Sequence, residues 1–264
     1  MNEKIINDIV WWIPIKKLRN NIRNYLINRE KQYQLLTKEI ADIKKYLLNV
    51  NHQLSYININ LGTDENKRKE AFTNIYRTHY WGGGEETRSG SASLLSATVD
   101  IIKELIKIIN KYNIKSILDC PCGDFNWMKE IVNNFDNYIG VDIVDFIIEE
   151  NKKKYSKDNI NFYILDICED SIDYDVDLIF SRDCVQHLTT NEVIKFINNI
   201  KKSKAKYLLI STSEEVVNNL RRESIPTDYI NINFELEPFN FPKPLYYFID
   251  NNSAMGLWEI KSIK

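Results

Sequence analysis

The chain has 264 residues, 44% of them apolar, enough to bury one sizeable core plus an appendage. Its 35 basic and 37 acidic residues leave a formal charge of −2, so no global field is available for gripping nucleic acid. No apolar run is long enough to span a membrane. Glu3 and Asp8 interrupt the N-terminus, and positive charge follows its apolar stretch rather than preceding it, which argues against a secretory signal. A cytoplasmic location is expected.

The first apolar stretch runs from Ile5 to Pro14 and carries Trp11 and Trp12, with Lys16, Lys17, Arg19 and Arg23 behind it. Paired tryptophans beside a basic cluster suit a peripheral membrane contact, and equally suit packing on a neighbouring subunit. Pro14 can open a helix. From Leu36 the apolar positions alternate four and three residues apart through Ile40, Ile43, Leu47, Val50, Leu54, Ile57 and Leu61. That period predicts a long coiled-coil helix. Leucine-rich a positions with β-branched d positions lean toward four strands, so homo-oligomerisation is expected; the alternative is a helix lying on its own domain. Residues 1–62 are assigned to this element and 63–264 to a second domain.

Charged residues 64–70 read as a hinge or helix start. The polar, glycine-rich run Trp81 to Ser93 reads as a lid over a ligand. Residues 93–112 predict an amphipathic helix. Strands are expected at 115–119, 137–142, 160–165, 176–181 and 206–212, with helices at 126–134, 144–155 and 190–202. Two further strands, 244–249 and 256–262, would close one edge as an antiparallel pair. The fold class is α/β, a doubly wound, Rossmann-like sheet of seven strands. Cys120, Cys122, Cys168 and Cys184 lack metal-ligand spacing and read as reduced, buried residues, and no carboxylate–histidine set demands a metal.

In an open parallel sheet, ligands sit beyond the carboxyl ends of the strands, where Asp119, Asp142, Asp166 and Arg182 gather. The turn after the first strand is not a dinucleotide fingerprint, because Pro121 and Asn126 stand where glycines are needed and only Gly123 remains. Asp124 would repel a pyrophosphate. Asp142, 23 residues after Asp119, is placed to accept two ribose hydroxyls. A ribose without phosphate, attached to a cation, points to S-adenosylmethionine (SAM).

The motifs "ILDCPCGDF", "YIGVDI", "FYILDI" and "DLIFSRDCVQHL" occur in the order found in class I SAM-dependent methyltransferases, which residues 115–213 resemble. Pro121 and Phe125 depart from that family's glycines. The resemblance implies cofactor contacts from Asp119, Cys120, Gly123, Asp142, Ile143, Asp166, Ile167 and Arg182; the composition of the lid adds Trp81, Arg88 and Ser89 as contacts to SAM or the substrate. A narrower resemblance, carried by "WGGGEETRSGSAS", "SRDCVQHLT", "PFNFPKPL" and "GLWEI", is to a bacterial subgroup found with capsule and surface-glycan genes. It implies methylation of a sugar hydroxyl on a nucleotide-activated (GDP-) heptose.

Such a transfer needs a base at the pocket mouth. His187 is the candidate, with Asp183 four residues earlier to orient it or to act itself. Asn233 and Asn240, from the aromatic-rich segment 231–248 suited to sugar stacking, and Glu214 and Tyr229 ahead of it are candidate substrate contacts. The Asn/Asp-Pro-Pro-Tyr run of nucleic acid amine methyltransferases is absent; Ser181-Arg182-Asp183-Cys184 stands there. A protein acceptor, a capsule phosphoramidate, or a non-catalytic scaffold working through the coiled coil remain alternatives.

Overall fold

A computed structural model describes residues 5–6, 10–11, 14–60, 65–219, 228–250 and 253–263. The chain divides into two units, residues 1–54 and 55–264. The boundary expected at 62/63 falls on residues 61–64, outside the described ones.

The first unit is dominated by α1 (Lys16–Asn60), a helix of 45 residues without glycine or proline that continues into the second unit. Leu36, Ile40, Ile43 and Leu47 are 46–57% exposed. Leu61, the last residue of the seam, lies outside the described residues, as do Asn7, Asp8, Ile9, Trp12 and Ile13 of the tryptophan segment; Trp11 is exposed. No helix among the described residues is long and apolar enough to cross a membrane.

The second unit holds α2 (Glu65–Thr78), α3 (Val99–Tyr112), β1 (Ser116–Asp119), β2 (Asn137–Asp142), α4 (Asp145–Tyr155), β3 (Ile160–Ile164), β4 (Leu178–Ser181), α5 (Thr190–Lys202), β5 (Tyr207–Thr212), β6 (Tyr246–Asp250) and β7 (Ser253–Glu259). The strands form one seven-stranded sheet in the order β3-β2-β1-β4-β5-β7-β6. The first five are parallel, and β7 runs antiparallel to both β5 and β6. Strand order reverses between β1 and β4, which opens a crevice at their carboxyl ends.

Alternating strand residues feed two cores. On one face Leu118, Ile139 and Val141 pack with Val193, Phe196 and Ile200 of α5 and with Phe234, Phe241 and Trp258. On the other, Ile117, Tyr138 and Phe162 meet Ile101, Leu105 and Ile108 of α3. A capping box sets the start of α5: Thr189 accepts from the Glu192 amide while the Glu192 carboxylate accepts from the Thr189 amide.

Three elements differ from the sequence expectation. Residues 126–134 form two 3₁₀ turns, Met128–Glu130 and Val132–Asn134, instead of an α-helix. Four consecutive residues, Phe125 to Trp127 and Met128, are buried together with Ile131, Val132 and Phe135, more than the single stripe a helix can bury. Helix α3 begins at Val99 because Ser91–Ser93 form a 3₁₀ turn. The last strand ends at Glu259, where Ile260–Ser262 turn into a 3₁₀ helix.

Gly140 on β2 is closely packed behind the crevice. A Cβ there would lie 2.8 Å from the Phe162 ring and 3.0 Å from Cys122 Cβ in the turn after β1. Gly140→Ala should therefore destabilise the protein by about 1–3 kcal/mol through overpacking. A lower urea midpoint for the full-length variant, at unchanged slope, is the expected observation.

Candidate functional site

A cavity of about 280 Å³ lies at the carboxyl ends of β1, β2 and β4. Its floor is the turn Pro121–Asp124; its sides are Asp142 and Ile143 after β2, Leu165–Cys168 after β3, and Phe180 with Arg182–Cys184 at β4. Helix α2 contributes Arg68, Phe72 and Tyr76, the glycine-rich loop contributes Trp81 and Ser89–Ser93, and His187 and Tyr229 complete the wall.

Two strand-end carboxylates are buried here. Asp119 accepts a 2.6 Å hydrogen bond from the Tyr138 hydroxyl, and burial pushes its carboxyl up to about 7. Asp142 accepts from the Val144 amide at 2.9 Å, the Gly123 amide at 3.2 Å and the Tyr76 hydroxyl at 3.4 Å. Burial raises it to about 6 against the opposing pull of these donors. Gly123 takes φ +54°, and a Cβ on it would meet Ser89 Oγ at 2.4 Å. Phe125 also adopts a left-handed φ of 59° and turns its ring onto Tyr138, Tyr155 and Phe162, with centroids 5.0–5.1 Å away.

The glycine-rich loop is latched to this turn by Asp124. Its carboxylate accepts from Thr87 Oγ1 at 2.9 Å, the Arg88 amide at 2.7 Å and Ser89 Oγ at 2.8 Å, while its own amide donates to Ser89 Oγ at 3.1 Å. The carboxylate read from sequence as repelling a phosphate thus works as the anchor of the lid. Helix α2 is pinned by Arg68, whose guanidinium pairs with Asp166 after β3 and with Glu192 at the start of α5.

At the opposite end, the Arg182 guanidinium donates to Asp250 at 2.5 Å and to the Ala92 carbonyl at 3.3 Å, and lies 3.3 Å from the Asp183 carboxylate. Asp183 takes φ 51° and accepts from the Tyr229 hydroxyl at 2.8 Å. His187 packs against Trp81, with centroids 4.8 Å apart and rings tilted by 31°, and meets Tyr229 edge-on at 5.5 Å. Its Nδ1 lies 2.6 Å from the Asp228 carbonyl oxygen. A carbonyl only accepts, so Nδ1 carries the proton and the neutral ring has its lone pair on Nε2.

Of the residues singled out from sequence, Asp119, Gly123, Asp142, Ile143, Asp166, Ile167, Arg182, Trp81, Ser89, His187, Asp183 and Tyr229 share the cavity wall. Cys120 is fully buried behind it. Arg88 points away, paired with Glu150 at 3.1 Å, and reaches the site only through its backbone. Glu214, Asn233 and Asn240 are not on the wall. Asn233 is a turn former, donating to the Val216 carbonyl and accepting from the Glu235 amide at 3.0 Å each. Asn240 is an exposed residue at φ 50°, and Glu214 lies exposed beyond β5. Phe234, Phe239 and Phe241 pack on each other and beside Trp258, so the aromatic-rich segment fills core instead of offering a stacking face. Arg68, Phe72 and Tyr76 were not anticipated; their i, i+4, i+8 spacing marks one face of a helix and was the available signal.

These features accord with the comparisons. A family model described as a methyltransferase domain matches residues 117–207. A protein of Invertebrate iridescent virus 6 named as a methyltransferase, 235L, is 27% identical over 136 residues, 44% of this chain and 50% of its own length. The chain thus spans about half of that relative. Among solved structures, the methyltransferase domain of bacterial CtHen1 aligns with a TM-score of 0.48 at 16% identity, covering 62% of this chain and 99% of that one. The N-methyltransferase NodS from Bradyrhizobium japonicum WM9 aligns with a TM-score of 0.46 at 13% identity, covering 62% and 96%. The matched segment, residues 117–207, runs from β1 to the start of β5 on the Rossmann-like sheet and carries both strand-end carboxylates, so this chain is similar to methyltransferase domains over that segment.

Proposed function

We propose that this protein is an O-methyltransferase that moves the methyl group of SAM to a sugar hydroxyl. The donor set suits the cofactor: the strand-end carboxylate of Asp142 is disposed to accept ribose hydroxyls, Asp119 lies beside it for a cationic group, and the turn after β1 holds no glycine run for a pyrophosphate. Asp166 and Ile167 would take the adenine end. When bound, SAM supplies a methyl on a cationic sulfur; the C–S bond breaks with its electron pair staying on sulfur as the O–C bond forms.

The observation that carries the acceptor type is His187. An amine acceptor needs no strong base, whereas a hydroxyl must lose its proton as it attacks. The hydrogen bond from Nδ1 to the Asp228 carbonyl leaves Nε2 as the basic nitrogen, in the wall that also holds the Asp183–Tyr229 pair. The hydroxyl proton passes to Nε2, and the Trp81 ring packed against the imidazole restrains it. The sequence resemblance supports a nucleotide-activated heptose of capsule synthesis as the acceptor. We infer assembly of the chain through α1 from its alternating four- and three-residue apolar spacing, of which Leu36, Ile40, Ile43 and Leu47 are exposed.

His187→Ala should leave SAM affinity within about threefold while lowering turnover roughly 10²- to 10⁴-fold, read as a methyl gain by mass spectrometry on nucleotide sugars. Unchanged turnover would move the base elsewhere. Asp142→Ala should weaken SAM binding in calorimetry by about 10- to 150-fold, the equivalent of one charge-assisted hydrogen bond of about 1.5–3 kcal/mol. Because the free carboxyls of Asp142 and Asp119 are raised to about 6 and 7, a cation binds best once both have ionised. SAM affinity should accordingly rise with pH through that window and fall on acidification. Sedimentation of the full chain should give a mass above the monomer's; a monomer would remove the assembly role of α1.

A further inference from the structure

We propose that Arg68, on α2, is a positioning residue for adenine recognition: its guanidinium holds the Asp166 carboxylate in place to accept the amino group of the base. This rests on the SAM reading of the cavity, and it assigns part of the cofactor specificity to a helix outside the matched segment 117–207.

The loop after β3 is nearly closed on itself. The Leu165 amide donates to the Asp142 carbonyl at 3.1 Å, the Asp166 amide to the Asp170 carboxylate at 2.8 Å, and the Cys168 amide to Asp166 Oδ1 at 2.9 Å. The Ile167 amide makes no hydrogen bond among the described residues. Asp166 and Ile167 both line the cavity, so the loop offers it one amide donor beside one carboxylate acceptor. Adenine carries the complement, a donor in its 6-amino group next to an acceptor at N1.

The carboxylate can make that choice only if it is ionised and held still. Its own loop occupies Oδ1, and Arg68 Nη2 donates to Oδ2. The Arg68 side chain is 8% exposed and that of Asp166 20%. Arg68 Nη1 donates to Glu192 on α5, and Glu169 lies 3.9 Å from Nη2. Asp166 therefore shares its surroundings with Glu169, Asp170 and Glu192, and the guanidinium stands between three of these four carboxylates; the neighbouring Lys195 pairs with Glu169 at 2.7 Å. Without Arg68, Asp166 would face like charges, which favours its neutral form, and Oδ2 would be free to turn away. A planar guanidinium fork can fix two carboxylates at once, which a lysine ammonium cannot do in the same geometry.

Anchoring of α2 does not by itself account for this arrangement. The helix already buries Ala71 and Ile75 beside Phe72 and Trp81, and Tyr76 against Val144 and Ile147. A buried ion pair adds little stability over an apolar contact of similar size. Arg68 nevertheless lies on the cavity wall, in contact with the residue that would meet the base.

Calorimetry on the full chain tests this by comparing S-adenosylhomocysteine with S-inosylhomocysteine, in which a carbonyl replaces the amino group and N1 carries a proton. The wild-type chain should prefer the adenine compound by about 10- to 150-fold, the worth of one charge-assisted hydrogen bond. Arg68→Met should lower this preference by about threefold or more, chiefly by weakening the adenine compound. Arg68→Lys, which keeps the charge and so protects the fold, should change it in the same direction by at least as large a factor. A smaller change in either folded variant would overturn the proposal. Glu192→Gln is the control, because it loosens the tie between α2 and α5 but keeps the Arg68–Asp166 pair and a capping-box side chain. Its preference should stay within about threefold of wild type; a loss equal to that of Arg68→Met would reduce Arg68 to an anchor of α2 and also overturn the proposal. A wild-type chain that binds both compounds equally would remove the adenine role of Asp166, and this inference with it, while leaving the cofactor reading intact. Failure to bind either compound would instead strike the SAM reading itself.

Discussion

Two carboxylates buried at the ends of adjacent parallel strands set the terms for everything around them. Asp119 and Asp142 are only 3% and 2% exposed, and each raises the cost of ionising in that position. Asp119 also feels the charge of Asp142. The surroundings supply what such groups require: the Tyr138 hydroxyl for one, and two amides and the Tyr76 hydroxyl for the other. A cation bound there would complete the compensation.

The same requirement explains the shape of the turn after β1. To aim its amide at Asp142, the chain must pass through a left-handed residue at Gly123, and it then passes through a second at Phe125. The Phe125 side chain converts that second turn into core by packing on Tyr138, whose hydroxyl serves Asp119. One aromatic cluster thus fixes both the backbone path and the hydrogen-bond donor. Asp124, between the two, latches the glycine-rich loop over the cavity. Arg68 does the corresponding work for α2, tying it to the residues after β3 and at the start of α5, so that Tyr76 is held near Asp142.

Much of this was legible in the sequence because it is local. Apolar runs of four to six residues ending in aspartate identify parallel strands and place Asp119 and Asp142 at the crevice without reference to anything distant. The lid segment was marked by its glycines. What was not legible depends on contacts far apart in the chain. Residues 128, 131, 132 and 135 have helical spacing, yet the additional burial of Phe125, Asn126 and Trp127 bends the segment into 3₁₀ turns. Arg68 stands among charged neighbours that look uniformly solvated, and only its acidic partners, nearly a hundred or more residues away, turn it inward. The aromatics after Tyr229 have the composition of a sugar platform, but β7 brings Trp258 against them and they become core.

If the crevice at the carboxyl ends of β1 and β4 is a SAM site, Asp142 reads the ribose and His187 faces the transferred methyl. A crystal structure of the full chain with S-adenosylhomocysteine tests this most directly. The account predicts both ribose hydroxyls on the Asp142 carboxylate, the amino acid tail over the Pro121–Asp124 turn, and the sulfur directed toward His187. A nucleoside seated away from Asp142, or a sulfur directed away from His187, would contradict it.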